Sequence, residues 1–140
     1  MSLAADKLAI QEVKHDYCYV TDDLDVERIP DVFSSDTHLD TPLYEAVEGH
    51  DGVREYFEYF GEQEFEVRAH NVVNPVIDVD GDTASGKWYY MVVYALPGGD
   101  LLFGHGEYDD EFVRTGEGWR VSYCVAKRRI TRRVSADEMV

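Results

Sequence analysis

The stretch VRAHNVVNPVIDVDGDTASGKWYYMVVYAL, residues 67–96, decides the fold. Its two halves are rich in Val, Ile, Tyr and Trp, which suit a pleated, half-buried surface. Asp80-Gly81-Asp82 separates them, and Asp-Gly between two such runs signals a hairpin. One residue fits neither a plain core strand nor a surface strand. His70 sits between Ala69 and Asn71, and a buried imidazole needs a polar partner. The expectation is that His70 points into a closed cavity and meets a carboxylate from the first helix.

Working outward from the hairpin, PGGD at 97–100 and TGEG at 115–118 are two more turns. Four strands result, over 67–79, 83–96, 100–114 and 119–132, joined as an antiparallel meander. The chain before them is helical. Ile10, Val13, Tyr17, Val20 and Leu24 recur at spacings of three and four, which predicts a helix over 6–24 with Asp6 as its cap. Asp25 opens a short second helix that runs to Phe33 and restarts at Pro30. SSDTHLDTPLY reads as a loop with room for one short strand. GHDGVREYFEYFGEQ, 49–63, is a third helix capped by Asp51, with Val53, Phe57 and Phe60 on its buried stripe. The tail SADEMV is expected to fray. Helices first and a long meander afterwards imply an α+β fold in one domain, 1–140. A long sheet twists and curls, so its concave face can wrap the first and third helices. The resulting cone leaves a pocket at its open end.

Composition narrows the function classes. Apolar residues make up 44% of the chain, with ten Tyr, six Phe and two Trp, which excludes a disordered chain. The net charge of −16, from 29 acids against 13 bases, repels nucleic acid and anionic membranes. The acids are spread along the chain and the bases are nine Arg to four Lys. An acidic, lysine-poor surface reads as adaptation to high salt, where screening removes self-repulsion. No apolar run approaches a membrane span, and no basic-then-apolar leader is visible. Cys18 and Cys124 lack a CxxC partner and read as buried thiols in a reducing cytoplasm. No GxSxG, P-loop or GxGxxG is present, leaving serine hydrolase, NTPase and Rossmann readings without support.

Four pieces resemble one family: YVTDDLDVERIPDVF at 19–33, EGHDGVREYF at 48–57, RAHNVVNPVIDVDGDTA at 68–84 and GEYDDEFVRTGEGWRV at 106–121. In order and spacing they resemble the SnoaL-like branch of the nuclear transport factor 2-like superfamily. That superfamily includes scytalone dehydratase and bile-acid dehydratases. The resemblance spans about residues 6 to 132 and implies the α+β cone. In those dehydratases an aspartate at the end of the first helix sits beside a sheet histidine. Asp22 matches the former and His70 the latter, and Tyr17 matches a pocket tyrosine before the aspartate. Two departures matter. Tyr94 stands where scytalone dehydratase has a second histidine and the bile-acid enzymes a second acid. Asp110 stands where scytalone dehydratase has an asparagine.

A carboxylate on one ring nitrogen of His70 would fix its tautomer and support the imidazolium. Such a pair can take a proton next to a carbonyl or activate a water. The alternative is a cavity histidine with a purely structural role. Tyr94 and Tyr108 are the favoured pocket tyrosines, and on a period of two Tyr108 shares a face with Gly106, Asp110 and Phe112. The opposite face carries His105, Glu107, Asp109 and Glu111. It reads as the convex side and a homodimer contact, with a metal site as the weaker reading. In KRRITRR one of Arg128 or Arg129 faces inward and could anchor an acidic ligand. The expected protein is a cofactor-free, metal-free lyase or isomerase acting on a small apolar, oxygenated ligand, a hydroxy-carbonyl compound. His70 would be the base, Asp22 its orienter, and Tyr17, Tyr94, Tyr108 and Asp110 would line the pocket. Two alternatives stay open. One is a ligand-binding or dimeric scaffold without chemistry. The other is a partner resembling the small subunit of ring-hydroxylating dioxygenases.

Overall fold

Three helical segments precede the sheet in the computed structural model, which describes residues 2–138. Helix α1 spans Leu3–Asp23. Ser2, rather than Asp6, caps it: the Ser2 hydroxyl accepts the Ala5 N–H at 3.2 Å. Asp6 instead faces inward at 4% exposure. Its carboxylate accepts from Arg114 at 2.7 and 2.9 Å and from the Trp119 indole at 3.2 Å. The Arg114 bond, against the opposing pull of burial, holds its pKa down at about 2. At the other end Leu24 is left-handed (φ 52°) and the Asp25 N–H closes on the Val20 carbonyl at 3.0 Å, which stops the helix. A 3₁₀ turn, Val26–Arg28, leads into α2, Ile29–Val32, with Pro30 in its first turn. Helix α3 spans Gly49–Glu62. Asp51 lies inside its first turn and pairs with Arg54, so it is not the cap. The cap is Glu48, three residues before Asp51, because Gly49, at φ +71°, turns the chain directly out of a strand.

The sheet has six strands: β1 Phe33–Asp40, β2 Val47–Glu48, β3 Val67–Asp80, β4 Thr83–Ala95, β5 Leu101–Thr115 and β6 Gly118–Val134. Their order is β2-β1-β6-β5-β4-β3. The meander from β3 to β6 is antiparallel, as the turns predict. The segment read mainly as a loop is a full strand, β1, which runs parallel to β6 with Leu39 opposite Cys124. Its apolar alternation is thin, because Thr37 holds an inward position and bonds to the Val121 carbonyl 84 residues away. The sheet is curved and unclosed, and β3 is one free edge. A bulge between Val73 and Val76 interrupts that edge, where Asn74 (φ 59°) precedes Pro75. Proline is tolerated there because an edge strand has unpaired N–H positions.

The inward faces of the strands close on α1 and α3. Trp88, Phe112 and Val121 from the sheet meet Ile10 and Tyr17 of α1 and Phe57 and Phe60 of α3, all buried. Cys18 and Cys124 are both free and buried. The tail is tied down up to its last described residue. Ala136–Glu138 form a 3₁₀ turn, and the Ala136 N–H donates to Asp100 at 3.0 Å. Of the segment expected to fray, Met139 and Val140 lie outside the described residues. Among those residues no helix is long and apolar enough to cross a membrane.

Candidate active site

The last turn of α1 lies against the free edge of β3. At an edge, outward-pointing strand N–H groups lack a neighbouring strand and must find another acceptor. Asp22 supplies it. Its two carboxylate oxygens accept the His70 backbone N–H at 3.1 and 2.9 Å. The same carboxylate meets His70 Nδ1 at 2.5 Å. A carboxylate only accepts, so Nδ1 carries a proton, and in the neutral ring Nε2 keeps the lone pair. The pair is sheltered, with side-chain exposures of 6% for His70 and 18% for Asp22. Phe60 and Tyr94 stand edge-on to the imidazole, with ring centres 6.1 and 6.0 Å away.

The imidazole lines a cavity of about 60 Å³ between α1, α3 and the concave sheet. Tyr17, Tyr56, Tyr90, Tyr94 and Tyr108 line it too. The Tyr17 and Tyr108 hydroxyls are 3.4 Å apart. Burial holds both phenols well above the usual tyrosine range, and it also raises Tyr94. These hydroxyls therefore stay protonated and can donate. Phe65 stacks on Tyr94 with centres 4.5 Å apart, which fixes that ring. Thr41 also lines the cavity, and its buried hydroxyl has no hydrogen-bond partner among the described residues.

The structure therefore brings His70, Tyr17, Tyr94 and Tyr108 to one cavity, with Asp22 behind the imidazole. Asp110 is a correction. It faces inward from β5, but its carboxylate does not line the cavity. It is fully buried against Lys14, with Nζ 2.9 Å from Oδ2. The Lys14 ammonium also sits 3.5 Å from the centre of the Tyr108 ring and 4.0 Å from that of Tyr17. Burial is the largest single influence and pushes the ammonium down, but Asp110 together with the Cys124 and Cys18 thiols outweighs it, and Lys14 is raised above its usual range. Both groups are thus committed to each other under the tyrosine floor.

Sequence reasoning missed Thr41, Tyr56, Leu102 and Thr131, which line the same cavity. Tyr56 was findable, because it follows Val53 by three on the buried stripe of α3. Thr41 was not, since it follows a strand whose pairing is non-local. On the opposite face of β5, His105 Nδ1 donates to the Tyr90 carbonyl at 2.9 Å and Asp109 pairs with Lys127. Met91, Phe103 and Ile130 are exposed on that outer face.

Residues 2–125 match the SnoaL-like domain family. The chain belongs to the SnoaL-like family. An uncharacterized protein of Mycobacterium tuberculosis is 35% identical to this SnoaL-like chain over 122 residues, 84% of this chain and 81% of the relative. Among solved structures, a Novosphingobium aromaticivorans protein named as an aromatic ring hydroxylase superposes with a TM-score of 0.84. It is 26% identical, with 96% of each chain covered. A hexachlorocyclohexane dehydrochlorinase of Novosphingobium barchaimii superposes with a TM-score of 0.84 at 16% identity, over 98% of this chain and 95% of that one. The SnoaL-like domain here has the cone-shaped fold of the nuclear transport factor 2-like superfamily.

Proposed function

We propose that the protein is a cofactor-free lyase or isomerase that removes a proton beside a carbonyl of a small, mostly apolar hydroxy-carbonyl compound. The observation that carries this is the 2.5 Å contact between Asp22 and His70 Nδ1, made by an imidazole that lines a tyrosine-walled cavity. In a dehydration, His70 Nε2 takes the proton on the carbon between the carbonyl and the hydroxyl-bearing carbon. The electron pair moves to the carbonyl oxygen, held by the Tyr17 or Tyr108 hydroxyl. It then returns to form the C=C bond as the hydroxyl accepts the proton from the imidazolium and leaves as water. Asp22 supports the transient imidazolium, a division of labour in which general-base work contributes about 10²–10⁴ in rate. Tyr94 packs beside the base and helps shape the site. The dehydrochlorinase among the structural neighbours supports an elimination by name, and the resemblance to scytalone dehydratase points the same way.

A cavity of about 60 Å³ holds only a few waters, so a substrate must displace lining side chains to enter. The test uses the aldol adduct of acetone and benzaldehyde, with aliphatic and bicyclic analogues. Proton exchange beside the carbonyl in D₂O is followed by NMR, and enone formation by ultraviolet absorbance. The expected result is catalysed exchange that disappears in a folded His70→Ala variant. Exchange at the same rate in that variant, or none for any analogue, overturns the proposal. A second reading rests on the neighbour named as an aromatic ring hydroxylase: a non-catalytic small subunit of an oxygenase. Co-purification of a large iron-containing partner favours that reading.

A further inference from the structure

The chain is strongly acidic, with 29 Asp and Glu among 140 residues, yet none of them lines the cavity. One arginine does. Arg128 lies on β6 two residues beyond Ala126 and four beyond Cys124, in step with their inward face. A bulge follows it at once: Gly106 pairs with Arg128 and His105 with Ile130, leaving Arg129 as the extra residue. The bulge turns Arg129 to the outer face, where its guanidinium lies 5.4 Å from the Tyr89 ring centre. It also resets the register so that Thr131 joins Arg128 on the cavity wall.

Pairing and position together single out Arg128. Arg28, Arg54, Arg114, Arg120 and Arg133 each pair with a carboxylate. Arg68 binds the Phe60 and Gln63 carbonyls. Arg128, Arg129 and Arg132 have no carboxylate within ion-pairing distance among the described residues, and of these three Arg128 alone lines the cavity. Arg128, itself partly in solvent, thus brings an unpaired guanidinium to a wall shared with apolar Leu102 and Ala126 and lined by no Asp or Glu. A guanidinium fork matches a carboxylate in two parallel hydrogen bonds.

We infer that the substrate carries a carboxylate at one end, held by Arg128 while the other end reaches His70. This rests on the reading of the cavity as the substrate site. The register bears on substrate length. His70, Val92, Gly104 and Thr131 form one row across the sheet, and Arg128 stands one bulge further along β6. Three strand spacings, about 14 Å, separate the two backbones, a span that the curl of the sheet and both side chains shorten. The acid group therefore lies several bonds from the reacting carbon, and a minimal hydroxy acid does not bridge the two ends.

The test is binding, not turnover, so it stands apart from the fate of the catalytic reading. Hydrocinnamate and the uncharged hydrocinnamamide are titrated calorimetrically into wild type, Arg128→Gln, Arg128→Lys and His70→Ala at about 0.15 M salt, where long-range repulsion is screened beyond about 8 Å. The expected result is at least about a tenfold preference for the acid in wild type. The preference disappears in Arg128→Gln, survives in part in Arg128→Lys and is still present in His70→Ala. Arg128 is exposed enough that its variants keep the fold. Equal binding of acid and amide, a preference that persists in Arg128→Gln, or no binding of the acid at millimolar concentration overturns the inference. A His70→Ala protein that loses proton exchange but keeps the acid preference supports both readings. One that keeps exchange and the acid preference removes only the catalytic reading.

Discussion

Replacing Asp22 by Asn tests the His70 arrangement without any substrate. The Asp22 carboxylate makes three contacts with one residue, two to the His70 N–H and one to its ring. Asparagine can still accept the backbone N–H through its oxygen. Its amide nitrogen then faces Nδ1, and an N–H beside an N–H is repulsive. The ring relieves this by moving its proton to Nε2, which removes the lone pair a base needs there. Hydrogen bonds to a charged group contribute about 1.5–3 kcal/mol and neutral ones about 1. With Asp22 at 18% side-chain exposure, the expected loss of stability is about 1–2 kcal/mol, or about 3–8 °C in Tm for a domain of this size. Proton exchange on a substrate falls by about 10²–10⁴. The assay is the ¹⁵N chemical-shift pattern of labelled His70 together with urea unfolding. Wild type is expected to show the Nδ1–H tautomer and the variant the Nε2–H tautomer. An Nε2–H tautomer in wild type, or no change in the variant, refutes the reasoning.

Three other perturbations read different parts of the structure. Lys14→Met strands the buried Asp110 carboxylate and is expected to cost about 3–5 kcal/mol, while Lys14→Met with Asp110→Leu recovers most of it; additive losses in urea denaturation contradict the pairing. Asp6 has a carboxyl depressed from 3.8 to about 2, so its stabilising contribution is complete above the ordinary value and is lost as pH falls toward about 2. Urea midpoints for wild type should drop across that window more steeply than those for Asp6→Asn. Gly106→Ala places a methyl 2.6 Å from the Tyr90 ring and against the Lys127 carbonyl. It is expected to destabilise by about 1–3 kcal/mol, measurable by chemical denaturation.

The long strands were legible because their signals are local. Asp-Gly and Gly-Gly turns, with Val and Tyr runs between them, mark the meander without reference to distant residues. Helix α3 was legible from Val53, Phe57 and Phe60. Helix starts were less so: both Asp6 and Asp51 have the chemistry of a cap, and each is used instead for an ion pair. Strand β1 was hidden because its pairing partner comes 84 residues later and its inward face includes Thr37. At the site, His70 stood out as a histidine in an apolar strand that needed a carboxylate, and the choice of Asp22 as that carboxylate came through family resemblance. Asp110 shared the inward face of Tyr108 as alternation requires, but alternation cannot say that Lys14 reaches it first. A lysine inside a helical stripe reads as a solvent-facing residue until the packing is known.

The bulge at Asn74-Pro75 bears on how the molecule behaves in crowded solution. An uninterrupted outer strand offers its hydrogen-bonding groups to any similar strand, and molecules can then zip together edge to edge. Here the backbone twists out of line between Val73 and Val76, and Pro75 has no hydrogen to offer. Asp22 has already claimed the His70 N–H further up the same strand. A docking strand would find no continuous ladder to follow, so a single dipeptide does much to keep this open sheet from polymerising.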